Sequence, residues 1–261
     1  MTEGAVLLDL EDRDAGSVAT VTIANPERLN ILSSPILAEL ESCLKRAAEV
    51  EDLRAVVLQG GGERAFIGGA DIRELAVLEP DSARTFITAV HRVCTGLREL
   101  PVPVIAKISG YCLGAGLEVA ASCDLRVAAE HSQFGMPEVQ LGVPSVVEAA
   151  LLPRLIGWGR TRELVFAGRS FMATEVAGWG LIERVVPRRE LDAAVEEWVG
   201  SILRAGPRAI RLQKELIRKW EELPLDKAIE AGIDVFGRAY ESDEPRERAQ
   251  QFLDQRKRLE D

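Results

Sequence analysis

Two glutamates in apolar surroundings are the residues of this sequence best suited to acid–base chemistry. Glu118 is followed by the apolar run 119–121, and Glu138 lies within the apolar segment 134–139. Removing a carboxylate from water is costly and raises its pKa, so buried acids are rare unless they are paired or functional. Two such groups near neutral pKa can share a water molecule, one taking its proton while the other delivers one. Either glutamate alone is slightly better explained as a helix-start carboxylate satisfied by backbone N–H groups, but the two together favour chemistry.

Two glycine-rich segments, 66–74 and 110–118, each follow an apolar run typical of a strand. Small residues let a ligand approach the backbone closely, and the start of a helix presents unpaired N–H groups with a partial positive charge. Two such helix starts facing one another could supply two donors to one developing oxyanion. A single segment of this kind is as well explained by a tight turn, whereas two on successive strands favour a binding role.

Other catalytic signatures are missing from the sequence. His91 and His131 form no H-E-x-x-H motif and no cluster with cysteine, so a metal site has little support. The glycines at 60–62 lack the Gly-Lys-Ser/Thr ending of a phosphate loop, and the segment 114–116 lacks the third glycine of a dinucleotide fingerprint. No G-x-S-x-G elbow occurs. Nucleotide hydrolysis, hydride transfer and serine hydrolysis therefore lose support.

The elements that must position these residues alternate between strands and helices. Apolar runs predict strands at 5–10, 18–23, 53–59, 102–108, 124–129 and 181–186. Periodicity and capping residues predict helices at 35–50, 81–100 and from about 115, and then at 188–204, 207–220, 224–240 and 245–259. Such alternation implies crossover connections and a mostly parallel sheet. We expect a core of β-β-α units over residues 1–190, which carries the active site, and a helical C-terminal region over 191–261.

Composition and charge narrow the possible partners. The chain has 261 residues, of which 47% are hydrophobic and 28% charged, and its net charge is −10. This acidic balance argues against a nucleic-acid partner. The sequence shows no signal peptide and no run of about 18 apolar residues, so we expect no membrane association. Four scattered cysteines are typical of reduced core thiols, and the expected compartment is the cytoplasm.

Three motifs, in order and at matching spacing, resemble the signatures of the crotonase (enoyl-CoA hydratase/isomerase) superfamily. They are Gly-Ala-Asp-Ile followed by a basic residue at 69–73, Leu-Gly-x-Gly-x-Glu at 113–118, and Phe-Gly-x-Pro-Glu at 134–138. The resemblance covers nearly the whole chain, from about residue 25 to about 257. It implies an α/β fold, a spiral of β-β-α units with a C-terminal helical trimerisation region, assembled as a homotrimer or homohexamer.

The resemblance also implies roles for individual residues. The N–H groups of Ala70 and Ala115 would form an oxyanion hole for a thioester carbonyl. Glu118 would activate water and Glu138 would deliver a proton to the α carbon, although these two roles can be exchanged or shared. The residues expected to contact coenzyme A are Ala70, Asp71, Ile72, Arg73 and Lys257.

The implied reaction is reversible addition of water to the α,β double bond of a 2-enoyl-CoA, as in fatty acid metabolism. Coenzyme A is then part of the acyl-CoA substrate, and neither a metal nor a redox cofactor is needed. Double-bond isomerisation and thioester hydrolysis are the alternatives within the superfamily. Isomerisation needs only one base, so the retention of two acids favours hydration. A non-catalytic binding protein is a more remote alternative, which the intact acid pair and the acidic balance disfavour.

One segment departs from the family pattern. Hydratases commonly carry a glycine-rich turn after the second catalytic glutamate, whereas the segment 141–148 lacks those glycines and contains a third acid, Glu148. We expect Ser145 and Glu148 to form a capping box at the start of a helix; alternatively, Glu148 points into the acyl pocket. The departure leaves the acyl group open. Arg28 and Arg64 are expected to be solvated surface charges.

Overall fold

The structure is a computed structural model that describes the backbone of residues 5–260 and the side chains of residues 5–256. The chain divides into two compact units, a first that ends at Val199 and a second that begins at Gly200. The predicted division after residue 190 falls just before the helix Leu191–Arg204, whereas the two units meet inside that helix.

The first unit is built on two β-sheets. In chain order its strands are β1 (Ala5–Glu11), β2 (Ser17–Ala24), β3 (Leu53–Gly60), β4 (Ala65–Ile67), β5 (Val104–Ile108), β6 (Tyr111–Leu113), β7 (Leu125–Ala129), β8 (Gln133–Gly135), β9 (Ser170–Met172) and β10 (Arg184–Val186). The large sheet has the order β1-β2-β3-β5-β7-β10, and the small sheet has the order β4-β6-β8-β9. Strands β1 and β2 pair antiparallel, as do β8 and β9, and the other described pairs are parallel.

Helices cover the sheets of the first unit. They are α1 (Ser34–Ala48), α2 (Ile72–Leu75), α3 (Pro80–Glu99), α4 (Ala115–Ala121), α5 (Leu152–Ala167), α6 (Ala173–Ala177) and α7 (Leu191–Arg204), the last of which crosses into the second unit. Helix α3 buries Phe86, Val90, Val93 and Leu97, the spacing of a single helix face. Strand β3 is buried from residue 53 to 58, as predicted for a strand covered on both faces.

Each turn of the spiral consists of a strand in the large sheet, a short strand in the small sheet and a helix. Strands β3 and β4 with helix α3 form one turn, and β5 and β6 with α4 form the next. The chain changes direction sharply between the two sheets. Gly110, between β5 and β6, has a φ of +74°, and a Cβ atom there would overlap the backbone of Arg64. The predicted β-β-α spiral is confirmed.

The structure differs from the predicted elements in three places. Strands β4, β6, β8 and β9 are absent from the prediction because three residues carry too little periodicity to be read. Helices α5 and α6 are also absent from it, and α5 is interrupted by non-helical backbone at Gly157. The strand predicted at 181–186 is shortened to β10, because Leu181 and Ile182 are buried in the core without strand pairing.

The second unit contains the helices α8 (Pro207–Glu222), α9 (Leu225–Ala239) and α10 (Glu244–Glu260). Helices α8 and α9 pack through Leu212, Leu216 and Val235. Helix α9 also leaves large apolar side chains exposed, which are Leu225, Ile229, Ile233 and Phe236. No helix in the described part of the chain is both long and apolar enough to cross a membrane.

Candidate active site

A cavity of about 470 Å³ lies in the first unit. Its walls come from the β4–α2 loop, helix α3, the β6–α4 loop and the segment after β8. The four residues predicted to act on the substrate, Ala70, Ala115, Glu118 and Glu138, all line it. Most of the remaining wall is apolar and includes Phe86, Ile87, Leu141, Val143 and Val146.

The small sheet holds the loops of Ala70 and Ala115 side by side. Ile67 on β4 pairs in parallel with Cys112 on β6. Ala70 and Ala115 each follow their paired residue by three positions. Because neighbouring strands lie about 4.8 Å apart, the two loops leave the sheet next to one another.

The N–H group of Ala70 faces away from the chain segment on which its loop rests. Leu32 donates its N–H to the carbonyl of Gly69, and its own carbonyl accepts the N–H of Asp71, both at 2.8 Å. In a parallel bridge of this kind the peptide groups of the middle residue point to the other side. No acceptor among the described residues pairs with the N–H of Ala70. This donor is therefore available to a ligand in the cavity.

The N–H group of Ala115 belongs to the first residue of α4, where helical geometry provides no partner. Within the described chain it has no acceptor. Gly114 precedes it with φ +54° and ψ −124°, a conformation that side chains disfavour. The N–H of Gly114 donates to the carbonyl of Gly135 at 2.9 Å, which fixes the turn. Two peptide N–H groups that have no acceptor among the described residues thus lie at the wall of one cavity, as an oxyanion hole requires.

Glu118 is a buried acid at the wall of the cavity, 3% exposed. Its Oε1 atom accepts the N–H of Ala149 at 3.3 Å. Burial raises the pKa of Glu118 to about 8, and the negative charges of Glu138 and Glu148 add to the rise. At neutral pH this side chain holds its proton and can act as an acid.

Glu138 lies at the start of the 3₁₀ turn Glu138–Leu141 and is half-buried. Its Oε2 atom accepts the hydroxyl of Ser145 at 2.8 Å. Its Oε1 atom lies against the backbone of Gly114, in space that a Cβ atom there would occupy. Burial raises the pKa of Glu138 as well. Because Glu138 also raises the pKa of Glu118, the two acids titrate as a coupled pair and favour holding one proton between them.

Asp71 supports the loop of Ala70 from outside the cavity. One carboxylate oxygen accepts the N–H of Arg73 at 3.1 Å and caps α2, and the other accepts from the guanidinium of Arg28 at 2.7 Å. The expectation that Arg28 is a solvated surface charge is wrong, because its partner lies 43 residues away, where the sequence gives no sign of it. The part of Asp71 in coenzyme A binding stays a prediction.

Three further residues are predicted to contact coenzyme A, and the structure describes the side chains of two of them. Ile72 lines the cavity and is exposed. Arg73 is exposed on α2 and forms no ion pair with a carboxylate among the described residues. Lys257 lies on α10, and its side chain is outside the described part of the chain, so its contact with the nucleotide end stays a prediction.

The predictions made for Ser145 and Glu148 are wrong. Val146 occupies the N-cap of the 3₁₀ turn Val147–Leu151, and no side chain caps it. Ser145 is instead bonded to an acid of the cavity. Glu148 is buried outside the cavity, with its Oε1 atom 2.7 Å from Nδ1 of His91. The two residues are separated by 57 positions in the chain, so no local pattern could have paired them.

Asn30 is a further residue that sequence reasoning missed. It is fully buried in the left-handed conformation, with a φ of +53°. Its side-chain amide donates to the carbonyls of Gly61 at 2.9 Å and of Ala65 at 2.7 Å. These bonds fix the start of β4, which leads into the loop of Ala70. The only available signal is that asparagine tolerates the left-handed region better than most residues.

An acid pair beside two free peptide donors, carried by a β-β-α spiral, defines an enzyme that stabilises an oxyanion while it moves protons. Comparison with known proteins gives the family. The family model described as enoyl-CoA hydratase/isomerase matches residues 13–261, and the chain belongs to this family.

Two relatives illustrate the likeness. The short-chain-enoyl-CoA hydratase of Clostridium acetobutylicum is 34% identical over 243 residues, which are 93% of each chain. The crotonyl-CoA hydratase of Syntrophomonas wolfei is 31% identical over 253 residues, covering 97% of this chain and 96% of its own. Among solved structures, the enoyl-CoA hydratase from Bacillus anthracis matches with a TM-score of 0.90 and 32% identity, covering 96% of both chains.

Proposed function

We propose that this protein is an enoyl-CoA hydratase, which adds water reversibly to the α,β double bond of a 2-enoyl-CoA, a reaction of fatty acid metabolism. The observation that carries the proposal is the meeting of two carboxyl groups of raised pKa with two peptide donors in one cavity. Family membership and the relatives named as hydratases support it.

The thioester carbonyl oxygen accepts the N–H groups of Ala70 and Ala115 in this scheme. As hydroxide bonds to the β carbon, electron density moves onto that oxygen and an enolate-like state forms. The two donors are fixed by the backbone, so they stabilise the developing charge without reorganising. Loss of one such donor typically costs about 3–4 kcal/mol of transition-state stabilisation.

Glu118 and Glu138 handle the water molecule. One carboxylate takes a proton from water while the oxygen of that water bonds to the β carbon, and the other carboxyl group gives a proton to the α carbon, so the pair ends with as many protons as it began with. Because the pKa of Glu118 is about 8, this residue holds the proton at neutral pH. This favours Glu118 as the acid and Glu138 as the base, the exchanged form of the assignment made from the sequence.

Hydration of crotonyl-CoA, followed by the loss of enoyl-thioester absorbance, tests the proposal. Glu118→Gln and Glu138→Gln should each lower kcat by about 10²–10⁴-fold. Glu163→Gln, at a partly exposed acid on α5 that pairs with Arg160 and Arg169, is the control and should keep full turnover. Full hydratase turnover in both active-site variants would refute the two-acid mechanism. Release of free thiol would identify a thioester hydrolase, and migration of the double bond without hydration would identify an isomerase.

Coenzyme A enters as part of the substrate, and the scheme uses neither a metal nor a redox cofactor. We assign its pantetheine and phosphate portions to residues 70–73 and its adenine nucleotide end to Lys257. The exposed guanidinium of Arg73, which pairs with no carboxylate of the described chain, supports a phosphate contact. Binding of coenzyme A, measured by calorimetry, should weaken on Arg73→Ala.

Assembly as a homotrimer or homohexamer is also part of the proposal. Helix α9 exposes an apolar stripe, made of Leu225, Ile229, Ile233 and Phe236, and contiguous exposed apolar side chains commonly mark a protein–protein interface. Burial of the stripe against other copies of the chain removes these side chains from water. We place the protein in the cytoplasm, which its four buried free cysteines support.

A further inference from the structure

A hydrogen-bonded pair lies just behind the proposed active site. His91, on α3, is 54% exposed, whereas its partner Glu148 is 5% exposed. Only one carboxylate oxygen of Glu148 forms a hydrogen bond. Oε1 lies within hydrogen-bond distance of Nδ1 of His91, whereas the buried Oε2 has no partner among the described residues. A buried carboxylate oxygen without a partner is costly, and an apolar side chain would fill such a position more favourably. Stability alone therefore does not account for Glu148.

The turn that carries Glu148 also holds Glu118. Ala149 donates its N–H to Oε1 of Glu118 at 3.3 Å, and the N–H of Val146 is directed at the same carboxyl group. Val147 and Glu148 lie between these two N–H donors in the chain. The φ of Val147, +40°, is strongly disfavoured for a β-branched residue. Such backbone persists only where surrounding contacts enforce it. The Glu148–His91 hydrogen bond is one side-chain contact that ties this turn to α3.

Glu148 acts on Glu118 through charge as well as through the backbone. Its negative charge contributes to the raised pKa of Glu118, after burial and the charge of Glu138. The titratable groups that interact with Glu148 are His91 and Cys94 on α3 and Glu118 on α4. A third carboxylate, outside the cavity, thus acts on the buried acid at the cavity wall.

We propose that His91 and Glu148 are positioning residues for Glu118: their hydrogen bond fixes the segment 146–149, in which the N–H groups of Val146 and Ala149 hold the Glu118 carboxyl group at the wall of the cavity. The proposal rests on the hydratase function proposed above. It assigns a role to Glu148 in the segment 141–148, which departs from the family pattern. It predicts that the His91–Glu148 bond, which lies outside the cavity, controls turnover rather than substrate binding.

Paired substitutions test the bond itself. Glu148→Ala and His91→Ala remove it. Glu148→Gln keeps an acceptor oxygen for His91, and His91→Asn places an amide N–H near the position of Nδ1. With crotonyl-CoA, each alanine variant should lower kcat by about 10–100-fold with KM changed less than about twofold, as for a misplaced catalytic group. The two conservative variants should recover kcat to within about threefold of the wild type.

A double variant and a stability control separate positioning from mere folding. Because the two residues act through one bond, His91→Ala/Glu148→Ala should be no slower than the slower single variant. Thermal unfolding and circular dichroism identify any variant that fails to fold. If Glu148→Ala fails to fold, the His91 variants still test the bond, because His91 is largely exposed and its replacement disturbs the core less. The proposal is overturned if well-folded alanine variants keep wild-type kcat, or if the conservative variants are as slow as the alanine variants.

A second readout does not depend on the reaction. In protein labelled with ¹³C at the glutamate carboxyl carbon, the Glu118 resonance is identified by its loss in Glu118→Gln. Its titration midpoint should move to lower pH in Glu148→Gln, which removes a neighbouring negative charge, and should not move in the control Glu163→Gln. An unmoved midpoint in Glu148→Gln overturns the proposal. If the wild type hydrates no enoyl-CoA but the midpoint moves as expected, the hydratase function fails while the link from Glu148 to Glu118 stands.

Discussion

Gly114 lies between the N–H group of Ala115 and the carboxyl group of Glu138, so Gly114→Ala is the most informative single change. A methyl group at this position would overlap Oε1 of Glu138. The backbone conformation, φ +54° and ψ −124°, is also one that alanine disfavours. The substitution therefore affects both the stability of the turn before α4 and the position of a carboxyl group proposed to act on water.

The two effects have different magnitudes. The strained backbone should lower the free energy of unfolding by about 1–3 kcal/mol. To restore ordinary contact with the new methyl group, the carboxyl group of Glu138 must retreat by about 1 Å, a displacement that can cost roughly 10²-fold in rate. The retreat also strains the 2.8 Å bond from Ser145. We expect kcat for crotonyl-CoA to fall about 100-fold with little change in KM.

Gly157→Ala is the matched control. Gly157 lies on α5 with φ +72° and ψ 160°, also unsuited to alanine, but an added Cβ atom would meet nothing within 4 Å. This variant should lose similar stability in urea denaturation while each folded molecule keeps its kcat. If Gly114→Ala retained a kcat within about threefold of Gly157→Ala, the placement of Glu138 against Gly114 would not matter for turnover and the reasoning would be refuted.

Three further predictions concern stability and assembly. Because the pKa of Glu118 is raised to about 8, the folded state keeps a proton that the unfolded chain releases, so stability falls as pH rises from about 4.5 to about 8. Urea denaturation should show Glu118→Gln to be more stable than the wild type at about pH 9 and similar at about pH 4, and equal stability at both would contradict this. Asp71→Ala should lower the free energy of unfolding by about 1–3 kcal/mol and also lower kcat, because it removes the cap of α2 and the ion pair with Arg28 behind Ala70. An unchanged kcat would show that the loop of Ala70 needs neither the cap nor the ion pair for turnover. If the protein is the proposed trimer or hexamer, sedimentation velocity should show Ile233→Glu as a smaller species than the wild type, whereas Glu230→Gln on the same helix should sediment like the wild type.

The sequence was sufficient to predict the parts of the fold whose signals are local. Strand β3 is a continuous apolar run, and α3 shows a clear apolar face after a helix-starting proline. The short strands of the small sheet are different, because each gains its identity only from pairing with strands far along the chain. The repeat of β-β-α units was predicted, but the residues that form the second strand of each unit were not.

In the candidate site, too, the features with a local signal could be predicted and those that depend on distant residues could not. The glycine turns and the two acids are visible in the sequence because unusual residue types stand in apolar surroundings. The supporting contacts are not visible, since Arg28 meets Asp71 across 43 positions and His91 meets Glu148 across 57. Ser145 and Glu148 show how a local motif misleads: their spacing fits a capping box, but each finds a stronger partner in the folded protein.

The parallel pairing of β4 with β6 has an evolutionary consequence. In the proposed scheme, the hold on the carbonyl oxygen depends on the spacing between two adjacent strands, which is set by sheet geometry rather than by particular side chains. The apolar walls of the cavity come instead from α3 and from residues 141–146, outside both sheets. Substitutions in those walls can therefore change the shape of the cavity without changing the distance between the two loops that carry Ala70 and Ala115.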